Sequence, residues 1–137
     1  MDDADRLRTL LDSLPDALVI ADTGGTIRVW NPAAERLFGF TAAEAVGVSL
    51  DLLVPARFKA AHDNGFARAI ATRALRVGGR VMRTRSNHKD GRKLYVDFCF
   101  SLWQDDAGEV VGVCATARDA TEQQLQQQAA ATAAAAR

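Results

Sequence analysis

The 137 residues suffice for one buried core but not for a catalytic domain joined to a regulator. Seventeen basic residues balance seventeen acidic ones, at 48% hydrophobic and 25% charged content, which removes any broad attraction to nucleic acid or anionic membrane. No apolar run reaches membrane-spanning length, the start MDDADRLRTL is too charged for a signal peptide, and the expected compartment is the cytoplasm.

In chain order, Ala4, Leu7, Leu10, Leu11 and Leu14 recur at helical spacing until Pro15 ends the pattern. This predicts a short amphipathic helix over residues 1–14, ahead of a domain body at 15–119. ALVIA at 17–21, the turn DTGG at 22–25 and the strand 26–30 form an opening hairpin. Asn31 and Pro32 make a cap and first-turn pair for a short helix that Gly39 stops. Thr41 and Glu44 make a capping box for a second, closed by Gly47. Pro55 then opens the longest internal helix, over 56–72.

A loop at 73–79 leads to a strand at 80–86 and the turn NHKDG at 87–91. In that strand Arg80, Arg83 and Arg85 read as a polar face rather than a nucleic-acid footprint. LYVDFCFSL at 94–102 alternates strictly. Leu94, Val96, Phe98, Phe100 and Leu102 point to one side, and Tyr95, Asp97, Cys99, Ser101 and Trp103 to the other, the signature of a strand with two working faces. A turn at 105–108 and a strand at 109–118 complete a three-stranded antiparallel meander. Asp119 and Glu122 read as a further capping box, opening an exit helix or linker over 120–137 that lacks an apolar stripe beyond Leu125 and is expected to fray there. Cys99 and Cys114 lie on separate strands without metal-ligand spacing and read as small buried thiols.

The element order is α+β, with one five-stranded antiparallel sheet. Together with DALVIADTGGTIRVWNPAAERLFGF, EAVG, LLVPARF, KDGR and the closing RDATEQ, it resembles the PAS family of sensory domains from about residue 10 to 123. The resemblance implies short helices and one longer helix on one sheet face, a core cavity for a small ligand, and flanking helices on the other face that pair into a homodimer and drive an effector domain in the same full-length protein. Membrane and nucleic acid are not expected as direct partners. Leu7, Leu10, Leu11 and Leu14 would form the pairing surface, and Asp119 and Thr121 match the family's Asp-x-Thr relay signature.

Phe58, His62, Phe66 and Ile70 share a face of the long helix, beside Ala61, Gly65 and Ala69. An imidazole so placed is a competent axial ligand for haem iron. RFKAAHDNGFAR resembles the haem-bearing helix of rhizobial oxygen-sensing kinases. That resemblance would give His62 the iron, Arg68 a propionate and Arg80 the bound oxygen, with Met82 as a candidate sixth ligand. Phe98 and Phe100 stand where those kinases carry aliphatic residues, and the loop after the helix is shorter and lacks their second histidine. The leading reading is therefore a cavity lined by Phe58, His62, Phe66, Arg80, Met82, Phe98, Phe100 and Ala115 that takes a small molecule, with haem as one alternative and a ligand-free dimerisation module as another. The reactive Asn-Cys motif of flavin-binding PAS domains is replaced by SLDLLVP. Phosphate-loop, zinc-protease, hydrolase-elbow and kinase signatures are missing, and no catalytic residue is assigned. His88 reads as a solvated turn residue, and Trp30 as packing at a strand end.

Overall fold

A single buried asparagine ties together three of the first four elements. In the computed structural model, which describes residues 1–76 and 78–136, helix α1 (Asp3–Ser13) precedes strands β1 (Ala17–Asp22) and β2 (Ile27–Trp30), and helix α2 (Pro32–Phe38) follows. Asn31, 2% exposed, caps α2 by accepting from the Ala34 N–H at 2.9 Å, and its same oxygen accepts from the Leu18 N–H at 2.8 Å. Its amide donates to the Asp16 carbonyl at 3.0 Å and to Leu11 at 3.3 Å, so one side chain ties the end of α1, the start of β1 and the start of α2. A buried, fully bonded amide of this kind is costly to remove because its partners are then left dry and unpaired.

The hairpin turn is held by Asp22, whose carboxylate accepts from the Gly24 and Thr26 N–H groups, both at 3.0 Å, and from Arg28 at 2.8 Å. Gly39 ends α2 with φ 83°, and a Cβ there would stand 2.6 Å from the His88 ring. This corrects the reading of His88. Its side chain is 7% exposed, folded over Gly39, and its Nδ1 accepts from the Asp90 N–H at 3.1 Å. The turn packs inward because Lys89 donates from its backbone to the Phe38 carbonyl and from its ammonium to Glu44. Glu44 also completes the expected capping box with Thr41 for helix α3 (Ala42–Ala45).

Two 3₁₀ turns, Leu50–Leu52 and Ala56–Phe58, lead into α4 (Lys59–Thr72). The expected helix from 56 thus begins as a 3₁₀ turn, since Pro55 offers no side-chain acceptor for its first N–H groups. The sheet runs β2-β1-β5-β4-β3, with β3 at Met82–Ser86, β4 at Leu94–Gln104 and β5 at Val110–Asp119, every pairing antiparallel. Strand β3 starts two residues later than expected, leaving Arg80 and Val81 outside it. Val77, within the expected loop 73–79, and the terminal Arg137 lie outside the described residues.

The core gathers on one sheet face. Trp30, Phe38, Phe98 and Phe100 form a run of rings with centroids 5.3, 6.3 and 5.4 Å apart, set against Ala115 and Ala117 of β5. Trp30 is buried and donates its indole N–H to the Phe40 carbonyl, as a packing residue with a satisfied polar handle should. Gly112 has no room for a side chain, because a Cβ would fall 2.3 Å from the Ala21 carbonyl oxygen.

Helix α5 (Thr121–Ala135) differs from expectation at its start. Ala120 is the cap residue and Glu122 does not reach back to it; Asp119 instead accepts from the Thr121 N–H at 2.9 Å. The helix end is tied to β4 rather than to itself: Ala120 donates to the Tyr95 carbonyl, and the Thr121 hydroxyl accepts from the Tyr95 N–H at 3.0 Å. Where fraying was expected beyond Leu125, the helix runs on to Ala135, with none of its residues buried.

Replacing Asn31 by Ala strips an acceptor from the buried Leu18 N–H, and the expected loss is about 2–4 kcal/mol in urea unfolding. A second measurement concerns Glu44, whose carboxyl is lowered from 4.5 to about 2, chiefly by Lys89. Because the folded value is depressed, the pair's contribution is present above the ordinary carboxylate value and disappears as pH falls toward the folded one. In a Lys89→Met variant, NMR titration should show Glu44 moving up toward its ordinary value, with the acid-side loss reduced.

Candidate functional site

Strand β4 separates two chemical environments. On its inner face Leu94, Val96 and Phe98 are buried and Phe100 is half-buried, and pairing places Met82 opposite Phe98 and Ala115 opposite Phe100. Four of the expected cavity residues are therefore brought together on the sheet. Phe98 and Phe100 face inward, while Tyr95, Asp97, Cys99, Ser101 and Trp103 face the other way.

Helix α4 carries the expected cavity residues His62 and Phe66. It is attached near its two ends: the Lys59 ammonium lies 3.4 Å from Asp51 of the first 3₁₀ turn, and just past the helix Arg73 pairs with Glu109 at 2.9 Å. Between them Ala69 is the one buried helix residue among those described, while His62, Phe66 and Ile70 are half-buried on a shared side. The His62 and Phe66 ring centroids are 6.1 Å apart. Met82 on the paired strand remains 38% exposed.

Three expected site residues lie elsewhere. Phe58 is exposed in the second 3₁₀ turn, under the Arg57 guanidinium at 4.6 Å, because the chain has not yet entered the α-helix there. Arg80 precedes β3 and is exposed, donating to the Arg76 carbonyl. Arg68 is exposed on α4.

Around His62 the polar groups are unevenly matched. Lys59 donates to Asp63 at 2.7 Å, and this bond holds the Asp63 carboxyl below its ordinary value and raises the lysine. His62 Nδ1 sits 3.7 Å from Asp63 Oδ1, too far for a hydrogen bond, yet it is shut off from solvent and has no partner among the described residues. Of the residues expected around a haem, His62 offers an unpartnered nitrogen on the same side of α4 as Phe66 and Ile70, whereas Arg68 and Arg80 are exposed.

The outer sheet face is polar at one end and carries α5. Asp97 receives Arg83 at 2.7 and 3.1 Å, and the same guanidinium donates to Gln127 at 3.2 Å. Gln128 donates to the Tyr95 hydroxyl at 3.3 Å, and the Arg85 guanidinium lies over the Tyr95 ring. Sequence reasoning found Asp119 and Thr121 from their motif. It missed Arg83, Asp97, Gln127 and Gln128, which no local pattern links across 44 positions. Cys99 and Cys114 are free and half-buried on this face, and burial pushes the Cys114 thiol up. Surface grooves run along α5 at Leu125 and Ala129 and beneath α1 at Leu7, Leu11 and Val29.

Comparison with known proteins agrees with this architecture. The sensor protein FixL of Bradyrhizobium diazoefficiens is 30% identical over 121 residues, a match covering 88% of this chain and 24% of that protein. The oxygen sensor protein DosP of Escherichia coli is 28% identical over 110 residues, covering 80% of this chain and 14% of that one. The chain thus spans a quarter or less of the length of these relatives. A solved PAS domain from Colwellia psychrerythraea superposes with a TM-score of 0.75 at 23% identity, covering 88% of this chain and 99% of its own. Residues 11–125 match the family described as PAS fold, and with the five-stranded sheet and its helices in the corresponding order, the chain belongs to the PAS family of sensory domains.

Proposed function

We propose that this PAS domain holds a small apolar or planar ligand between α4 and the inner sheet face, and passes its occupancy through β4 to α5. The observation that carries the reading is the double attachment of β4. Phe98 and Phe100 line the cleft, while Tyr95 and Asp97 of the same strand bind the base and second turn of α5 through Thr121, Gln128 and Arg83. A ligand that favours one packing of the rings then biases the position of α5, as a population shift between two arrangements of one strand. Effector output, cytoplasmic location and homodimer formation through Leu7, Leu10, Leu11 and Leu14 belong to the same reading; Leu7 and Leu10 are 61% and 57% exposed. The chain itself supplies binding and relay and is assigned no catalysis.

Haem is the second reading, favoured by the unpartnered nitrogen of His62. His62 would hold the iron, and Phe66, Ile70 and Phe100 would exclude water; the bound group would supply affinity for diatomic gases.

Three measurements follow. The apolar dye 1-anilinonaphthalene-8-sulfonate should bind the cleft, and Ile70→Trp, which fills it, should weaken binding about tenfold if burial of the dye drives association; unchanged affinity would sink the cleft reading. Thr121→Val leaves the Tyr95 N–H without its side-chain acceptor, and should raise amide exchange at Tyr95 by roughly a factor of ten, about 1–2 kcal/mol, with the global melting point little moved. Protein from haem-supplied cells should show a Soret band lost in His62→Ala under the haem reading, and the dye result with no band under the first.

A further inference from the structure

Near the N-terminal end of α4, three potential metal-binding side chains converge from two elements. One donor atom each of Asp51, His62 and Asp63 lies within 4.8 Å of the others, with Asp51 contributed by the 3₁₀ turn Leu50–Leu52. Donors sharing one first-row cation at about 2.0–2.2 Å stand roughly 3–3.5 Å apart. These side chains, half-buried or exposed, would need to close by up to roughly 1.3–1.8 Å, a shift that side-chain rotation can supply.

The cluster already attracts positive charge. The Lys59 ammonium reaches both carboxylates, at 2.7 Å to Asp63 and 3.4 Å to Asp51. What the lysine leaves unanswered is His62 Nδ1, dry and without a partner among the described residues although it faces Asp63 at 3.7 Å. A second cationic group that also accepts a nitrogen lone pair would satisfy all three, which an ammonium here does not.

We infer that Asp51, His62 and Asp63 form a binding site for a divalent transition-metal cation of the zinc or cobalt class, with Lys59 as the resident charge that such a cation displaces. One imidazole and two carboxylates suit a borderline cation, whereas calcium and magnesium prefer an all-oxygen set. The consequence is mechanical. Since α4 has a single buried residue among those described, a cation bridging it to the 3₁₀ turn would add a fixed point at the edge of the ligand cleft. Metal occupancy then sets how readily α4 moves, separately from whatever enters the cleft.

The test is titration of haem-free protein with cobalt(II) chloride, followed by visible d–d absorption and by competition with zinc, magnesium and calcium. One equivalent should bind per chain, displaced by zinc but not by magnesium or calcium. H62Q and D51N should each weaken binding about tenfold or more, and K59M should tighten it by a similar factor, as removal of a ligand or of a competing charge requires. Thermal melts of each variant check that the fold is intact. Cobalt bound by neither wild type nor K59M, or bound by H62Q as tightly as by wild type, overturns the site. Because the protein contains no haem and the dye is not used, this outcome is separate from that of the cleft experiments.

Discussion

A β-strand hydrogen-bonded on both edges cannot shift one face without carrying the other. Strand β4 lies between β3 and β5, and its two ladders fix Phe98 against Met82 and Ala117 while fixing Asp97 against Arg83 and Arg118. The inward rings of the core and the polar groups that seat α5 are therefore alternate residues of one ribbon. Alternate residues of the strand project to opposite faces from one continuously paired backbone. The rest of the architecture either holds this ribbon in place or responds to it.

The holding parts are densely bonded. Asn31 binds three elements, Glu44 and Lys89 join α3 to the turn before β4, and His88 lies over Gly39 at the end of α2. The responding parts are sparsely attached. Helix α4 is anchored near its ends by ion pairs and otherwise touches the fold through a half-buried side, while α5 has no buried residue and rests on side-chain hydrogen bonds. Elements of this kind open and reposition at low cost, which is where a sensor needs its movable pieces. The two weakly attached helices, α4 and α5, thus lie beside a stiff, doubly paired sheet.

Charge follows the same division. Ion pairs on exposed surfaces contribute little to stability because water screens them. Those that matter here act as positional clamps: Arg83 with Asp97 beneath α5, Lys59 between Asp51 and Asp63 at one end of α4, and Arg73 with Glu109 at the other. The two α4 pairs connect groups that no backbone ladder joins, while the Arg83–Asp97 pair reinforces residues already opposite each other in the β3–β4 ladder.

By itself the sequence determined the element order, the two-sided character of the central strand, and the caps at Asn31 and Thr41, because periodicity, turn chemistry and capping are local and are written within a few adjacent residues. It also marked His62 and the Asp119–Thr121 pair as residues of interest. Only the tertiary structure decided that His88 is covered, that Phe58 and Arg80 are exposed, that α5 starts on Tyr95 rather than on a box of its own, and that Asp51 meets His62 and Asp63. The reason is distance along the chain: these outcomes depend on which backbone groups and charges come into reach once the sheet closes and the helices settle on it, and no short window of sequence contains both partners.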